Sequence, residues 1–148
     1  MRAFSRFLRL DPAEREAFLL SLVAMAAVRV ALLACSPRRL TRVLEAIVRR
    51  FPRGPEAKPI GLRTLAKRIC QGSRFSPVGT TCLSEAIAAR ALLARYGHQG
   101  ELRIGVVKDD GRLAAHAWLE CADEVFIGNP APSGKTYVPI KGAEGLIG

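Results

Sequence analysis

Close to residue 98 the spacing of apolar side chains changes, and that change limits what the chain can build. Upstream, apolar residues recur every three or four positions, as in Leu40, Val43, Leu44, Ile47 and Val48, the period of a helix with one buried face. Downstream they alternate, as in Leu102, Ile104 and Val106, the period of a strand. Helices followed by strands, rather than the two interleaved, make an α+β chain whose strands form an antiparallel meander. At 148 residues there is room for one compact domain with a single core.

The helix boundaries carry local signals. Asp11-Pro12-Ala13-Glu14 sets a capping acid before a proline at the first helical position, with Glu14 three residues after the cap. A helix from Pro12 to about Ala34 follows. Ser36-Pro37 repeats the signal, and the second helix runs to the break at Phe51-Pro52-Arg53-Gly54-Pro55. A short third helix is expected from Gly61 to Cys70, with Leu62, Leu65 and Ile69 inward. Gln71 to Thr80, rich in Gly, Ser and Pro, reads as a loop. The fourth helix opens at Thr81 or Cys82 and closes at Tyr96-Gly97, with Leu83, Ala86, Ile87, Ala91 and Ala94 inward. Two strands then flank a turn at Asp110-Gly111, and Ala122-Asp123 turns into a third, Glu124 to Gly128. Asn129-Pro130-Ala131-Pro132 leaves the sheet, with a last short strand expected over Tyr137 to Ile140.

Charge divides the chain further upstream. Residues 1–74 hold 16 Lys and Arg against 5 Asp and Glu, a net of +11; residues 75–148 hold 7 against 8, a net of −1. Arg38, Arg39, Arg42, Arg49 and Arg50 form the polar face of the second helix. Such a face attracts an anionic surface or an acidic partner, or is simply solvated. Nucleic acid is not expected, because aromatic residues are only 6% and no nucleic-acid motif is present. Phe18 to Cys35 is apolar but short for a span and interrupted by Arg29, so a buried or surface-lying helix is expected and membrane contact is not. Cys35, Cys70, Cys82 and Cys121 contain no close metal-binding pair, and no secretory cleavage signal is visible near the start. Reduced thiols, a cytoplasmic protein, and no metal or cofactor are the expectations.

Cys82 stands out by position. At the first turn of a helix, free amide hydrogens and the helix dipole stabilise a thiolate, the nucleophilic form. The same amides suit an oxyanion on an attacked carbonyl, with Thr81 beside them. Set against this, most unpaired cysteines are small buried hydrophobes. His116 supplies a base. It shares a strand face with Ala114, Trp118 and Glu120, and a two-residue turn at Asp110-Gly111 puts Gly105 opposite it, leaving the imidazole uncovered. A two-residue turn at Ala122-Asp123 puts Asn129 on its other side, ~5 Å away between β-carbons, near enough to hold the second ring nitrogen. Asp123, at the turn, lies some ~20 Å along the strand. Cys-His-Asn is a working arrangement for thiol proteases.

The runs Thr81-Cys82-Leu83-Ser84-Glu85-Ala86, Arg95-Tyr96-Gly97, Leu102-Arg103-Ile104-Gly105-Val106 and Ala115-His116-Ala117-Trp118-Leu119-Glu120 resemble one family. It is that of the transglutaminase-like leader peptidases of lasso-peptide biosynthesis, and the resemblance covers about residues 80–130. It implies a papain- or transglutaminase-like core, one helix on an antiparallel meander, placed over residues 75–148; the charge and helix signals mark residues 1–74 as a basic helical region before it. It implies a cysteine protease that cuts the leader from a ribosomally made precursor, with Cys82 as nucleophile and His116 as base. The family's third residue is usually an acid, and Asn129 stands at the matching place. The implied partners are the lasso precursor peptide, a small leader-binding recognition protein and an ATP-dependent lasso cyclase.

Overall fold

Asp11 begins the helical part by accepting a hydrogen bond from the Ala13 amide at 3.1 Å, with Pro12 at the first helical position. The structure, a computed structural model, describes residues 7–54, 56–129 and 134–141. Helix α1 (Pro12–Ala31) stops three residues short of the expected Ala34. There Leu33 and Ala34 donate to carbonyls only three residues back, which tightens the last turn. Ser36 caps α2 (Pro37–Arg50) through the Arg39 amide at 3.4 Å. No helix among the described residues is long and apolar enough to cross a membrane.

Helix α3 (Leu62–Phe75) runs five residues past the expected end at Cys70. Gly72, read as a loop residue, is helical and buried. A β-carbon there would lie 1.8 Å from Ser21 Oγ on α1, so the glycine lets the two helices approach. Helix α4 (Cys82–Arg95) is buried over most of its surface, including Ala88, Ala89, Leu92 and Leu93 as well as Ala86 and Ile87. It needs apolar residues all round because α1 and α2 cover one side and the sheet the other. Ala94, expected inward, is exposed. On α2 the expected stripe is only partly used: Leu40 is buried, but Val43 and Ile47 are 48% and 49% exposed.

The strands are β1 (Glu101–Asp109), β2 (Arg112–Cys121), β3 (Glu124–Ile127) and β4 (Val138–Pro139), all paired antiparallel in the order β3-β2-β1-β4. The fold is α+β, as the change of period requires. The first hairpin has its expected register. Asp110 and Gly111 take φ values of +45° and +80°, as a two-residue turn of this kind needs, and Gly105 pairs with His116.

The second hairpin departs from its expected register. It starts correctly, with Ala122 and Asp123 at φ +52° and +62° and Cys121 opposite Glu124. A bulge between Leu119 and Glu120 then shifts the count, so that Leu119 pairs with Ile127 and Phe126 is skipped. The ladder ends at Ile127 and Gly128 turns away at φ +81°. His116 therefore has no ladder partner at Asn129. The expected exit through Pro130, Ala131 and Pro132 lies outside the described residues.

One core joins both halves: Met25, Leu65 and Ile69 from α1 and α3 lie in the same cluster as Ile87, Leu93, Leu102, Leu119 and Ile127.

Candidate active site

Cys82 is the first residue of α4 and is half-buried against the edge of that core. Thr81 before it is committed to the helix start. Its hydroxyl accepts from the Ser84 amide at 3.2 Å, and its own amide donates to Ser84 Oγ at 2.8 Å, a reciprocal cap. The amide of Glu85 begins the intrahelical ladder by donating to the Thr81 carbonyl at 2.9 Å. A helix offers no internal partner to the amides of its first two residues, here Cys82 and Leu83. The Thr81 hydroxyl is taken up by the cap, which leaves those amides as the unpaired donors of this terminus.

His116 lies mid-strand on β2, half-buried beside two aromatic rings. Trp118 stacks with it at 6.2 Å between centroids and 19° between planes, and Tyr137 meets it at 5.4 Å and 49°. Trp118 is 2% exposed and is itself anchored. Its Nε1 donates to Glu120 Oε1 at 2.8 Å, and Arg103 Nε donates to Glu120 Oε2 at 3.1 Å. The hydrogen bond from Trp118, with that from Arg103 and its charge, holds the Glu120 carboxyl below the ordinary glutamate range.

Gly105 has a different use from the one expected. The space above it is filled: a β-carbon there would sit 2.9 Å from the Trp118 ring edge and 2.9 Å from Tyr137 Cβ. The glycine admits those two rings and does not leave the imidazole open. Tyr137 has no signal in the local pattern. It reaches His116 because β4 pairs with β1 at Val106 and Gly105, a contact between residues far apart in sequence.

Gly105, His116 and Trp118 are thus brought together. Cys82 is placed with α4, which packs on β2 through the face that carries Ala117 and Leu119. His116 and Trp118 alternate to the other face. His116 Nε2 is buried with no hydrogen-bond partner among the described residues, so none comes from Cys82. Asn129 is exposed beyond the end of β3.

A cleft of about 920 Å³ opens at the far end of α4, lined by Arg53, Arg95, Tyr96, Glu120 and Cys121 among others, and includes neither Cys82 nor His116.

A family model described as the transglutaminase-like superfamily matches residues 22–141, from within α1 to just past β4. The chain belongs to that superfamily. The matched segment of this transglutaminase-like chain holds α2 and α3 as well as the helix of Cys82 and the strand of His116, so the basic helices lie within the family's extent. No curated protein and no solved structure matched it.

Proposed function

We propose that this transglutaminase-like protein is a cysteine peptidase that removes the leader from a ribosomally synthesised lasso-peptide precursor. The observation that carries the acyl-transfer part is family membership over a segment that begins a helix with Cys82 and sets His116 on the neighbouring sheet. The leader-peptidase part rests on the Thr81-Cys82-Leu83 and His116-Ala117-Trp118 runs.

In this reading His116 Nε2 takes the proton of the Cys82 thiol, and the thiolate sulfur bonds to the scissile carbonyl carbon. The amides of Cys82 and Leu83 hold the oxyanion. His116 returns the proton to the departing amine, leaving an acyl-enzyme that water hydrolyses to a free acid and thiol. The reading requires the Cys82 helix start and His116 to come together on substrate binding, because His116 lies on the face of β2 away from α4 and its Nε2 has no partner among the described residues. Asn129 is the candidate to hold the second imidazole nitrogen, from a position two residues beyond β3. The protein would act in the cytosol, with the recognition protein presenting the precursor and the cyclase consuming the product.

The test is incubation with the precursor, recognition protein and cyclase, followed by mass spectrometry. Leader release is expected from the wild type and not from Cys82→Ala; equal release by both removes the proposal. A second reading, contact of the basic helices with an anionic membrane, is favoured by the exposed Val43, Ile47 and Phe51 beside Arg39 and Arg50. Salt-sensitive binding to acidic vesicles without peptidase activity would favour it.

A further inference from the structure

Two aromatic rings meet the His116 imidazole, and neither belongs to the catalytic pair. We propose that Trp118 and Tyr137 form an aromatic clamp that positions the imidazole, with Glu120 pinning the indole; the proposal rests on His116 being the base. Three observations point the same way. Both ring contacts close on one imidazole, at 6.2 and 5.4 Å. A glycine, and no larger residue, stands where the two clamp residues converge, each 2.9 Å from a would-be β-carbon. The indole cannot swing away, because its only donor is held by Glu120 and Glu120 is held by Arg103.

The clamp does what an orienting polar residue does elsewhere. A ring packed against two others keeps its side-chain torsions near one value, so Nε2 points in one direction although the strand residue opposite, Gly105, offers no side chain. β3 provides no partner either, since its ladder ends at Ile127 opposite Leu119. Tyr137 comes from the β4 edge of the sheet, the edge away from β3, and Lys135 pairs with Asp109 to tie that segment to the hairpin.

Trp118 is the only tryptophan, which gives the clamp its own signal. A protonated imidazole in contact with an indole quenches its fluorescence. Wild-type emission is expected to fall on acidification, as the imidazole gains its proton. His116→Ala should abolish that transition. Tyr137→Phe keeps a ring and should preserve both the transition and the rate at which iodoacetamide alkylates Cys82 at neutral pH. Tyr137→Leu and Glu120→Leu should weaken the transition and slow Cys82 alkylation about tenfold. A merely structural role would lower thermal stability and move neither signal.

If Glu120→Leu fails to fold, Glu120→Gln retains an acceptor for Trp118 Nε1 and should behave nearly as wild type, and Tyr137→Leu then decides. Wild-type transition and alkylation in Tyr137→Leu overturn the clamp. Wild-type alkylation in His116→Ala, with the fluorescence transition still altered by Tyr137→Leu, instead overturns the pairing of Cys82 with His116 and leaves the clamp on the ring standing.

Discussion

Arginines join helices in one part of the molecule and fix a single aromatic ring in the other. Among the helices, Arg68 pairs with Glu14 at 2.9 Å, Arg53 and Arg95 both reach Glu16, and Arg90 pairs with Glu45 at 2.8 Å. Each bridge crosses between elements and takes up an acid from the acid-poor half. What remains exposed, including Arg39, Arg42, Arg49 and Arg50, faces solvent on α2. In the sheet, Arg103 and Glu120 hold Trp118 beside His116. The larger charge sits where the architecture is assembled, and the smaller where the proposed base is held, so charge count alone does not find a site.

The widest separation between the two regions is expected in activity. Cys82→Ala should abolish peptide hydrolysis, and His116→Ala should cost on the order of 10²–10⁴-fold, the span usual for a general base. Initial rates of leader release check both, and a His116→Ala rate within a few-fold of wild type would break the contrast. Next come the two buried glycines. Gly72→Ala, forced against Ser21, and Gly105→Ala, forced against Trp118 and Tyr137, should each cost about 1–3 kcal/mol in denaturant unfolding. Only Gly105→Ala should also lower activity, because only it moves the rings around His116. Equal activity in the two would show that the clamp does not matter to the reaction.

A smaller effect concerns acid. The folded state holds the Glu120 carboxyl below its ordinary value, so its contribution is present above the unfolded glutamate range, about pH 4.3, and lost as the pH falls through the lower folded value. Stability should therefore fall more steeply on acidification in the wild type than in Glu120→Gln, as followed by unfolding at several pH values. The smallest effect belongs to the exposed arginines. Arg42→Glu with Arg49→Glu should change stability by no more than about 0.5 kcal/mol and leave peptidase rates unaltered.

Local chemistry explains which features the sequence discloses. Asp11-Pro12 and Ser36-Pro37 specify helix starts through caps that need only their own neighbours, and Asp110-Gly111 sets a hairpin register by its backbone preferences alone. The misread features depend on distant partners. Gly72 looks like a loop residue until Ser21 is placed against it, within a helix that runs on to Phe75. The alternation around β3 carries no sign of the bulge that removes Asn129 from the row of His116. Period identifies α2 as a helix but not how wide a face it buries, so Val43 and Ile47 are exposed where an inward stripe is expected. At the site, the helix-start position of Cys82 is legible in Thr81 and the residues after it. The surroundings of His116 are not, because Tyr137 arrives through β4.

The central claim, that Cys82 acts as a nucleophile activated by His116, is tested most directly by intact-protein and peptide mass spectrometry after mixing the protein with an activated peptide ester. The expected result is an acyl adduct on Cys82 that disappears in water, forms on the order of 10²-fold more slowly in His116→Ala, and is absent from Cys82→Ala. An adduct confined to Cys35, Cys70 or Cys121, or one that forms on Cys82 equally fast without His116, would contradict it.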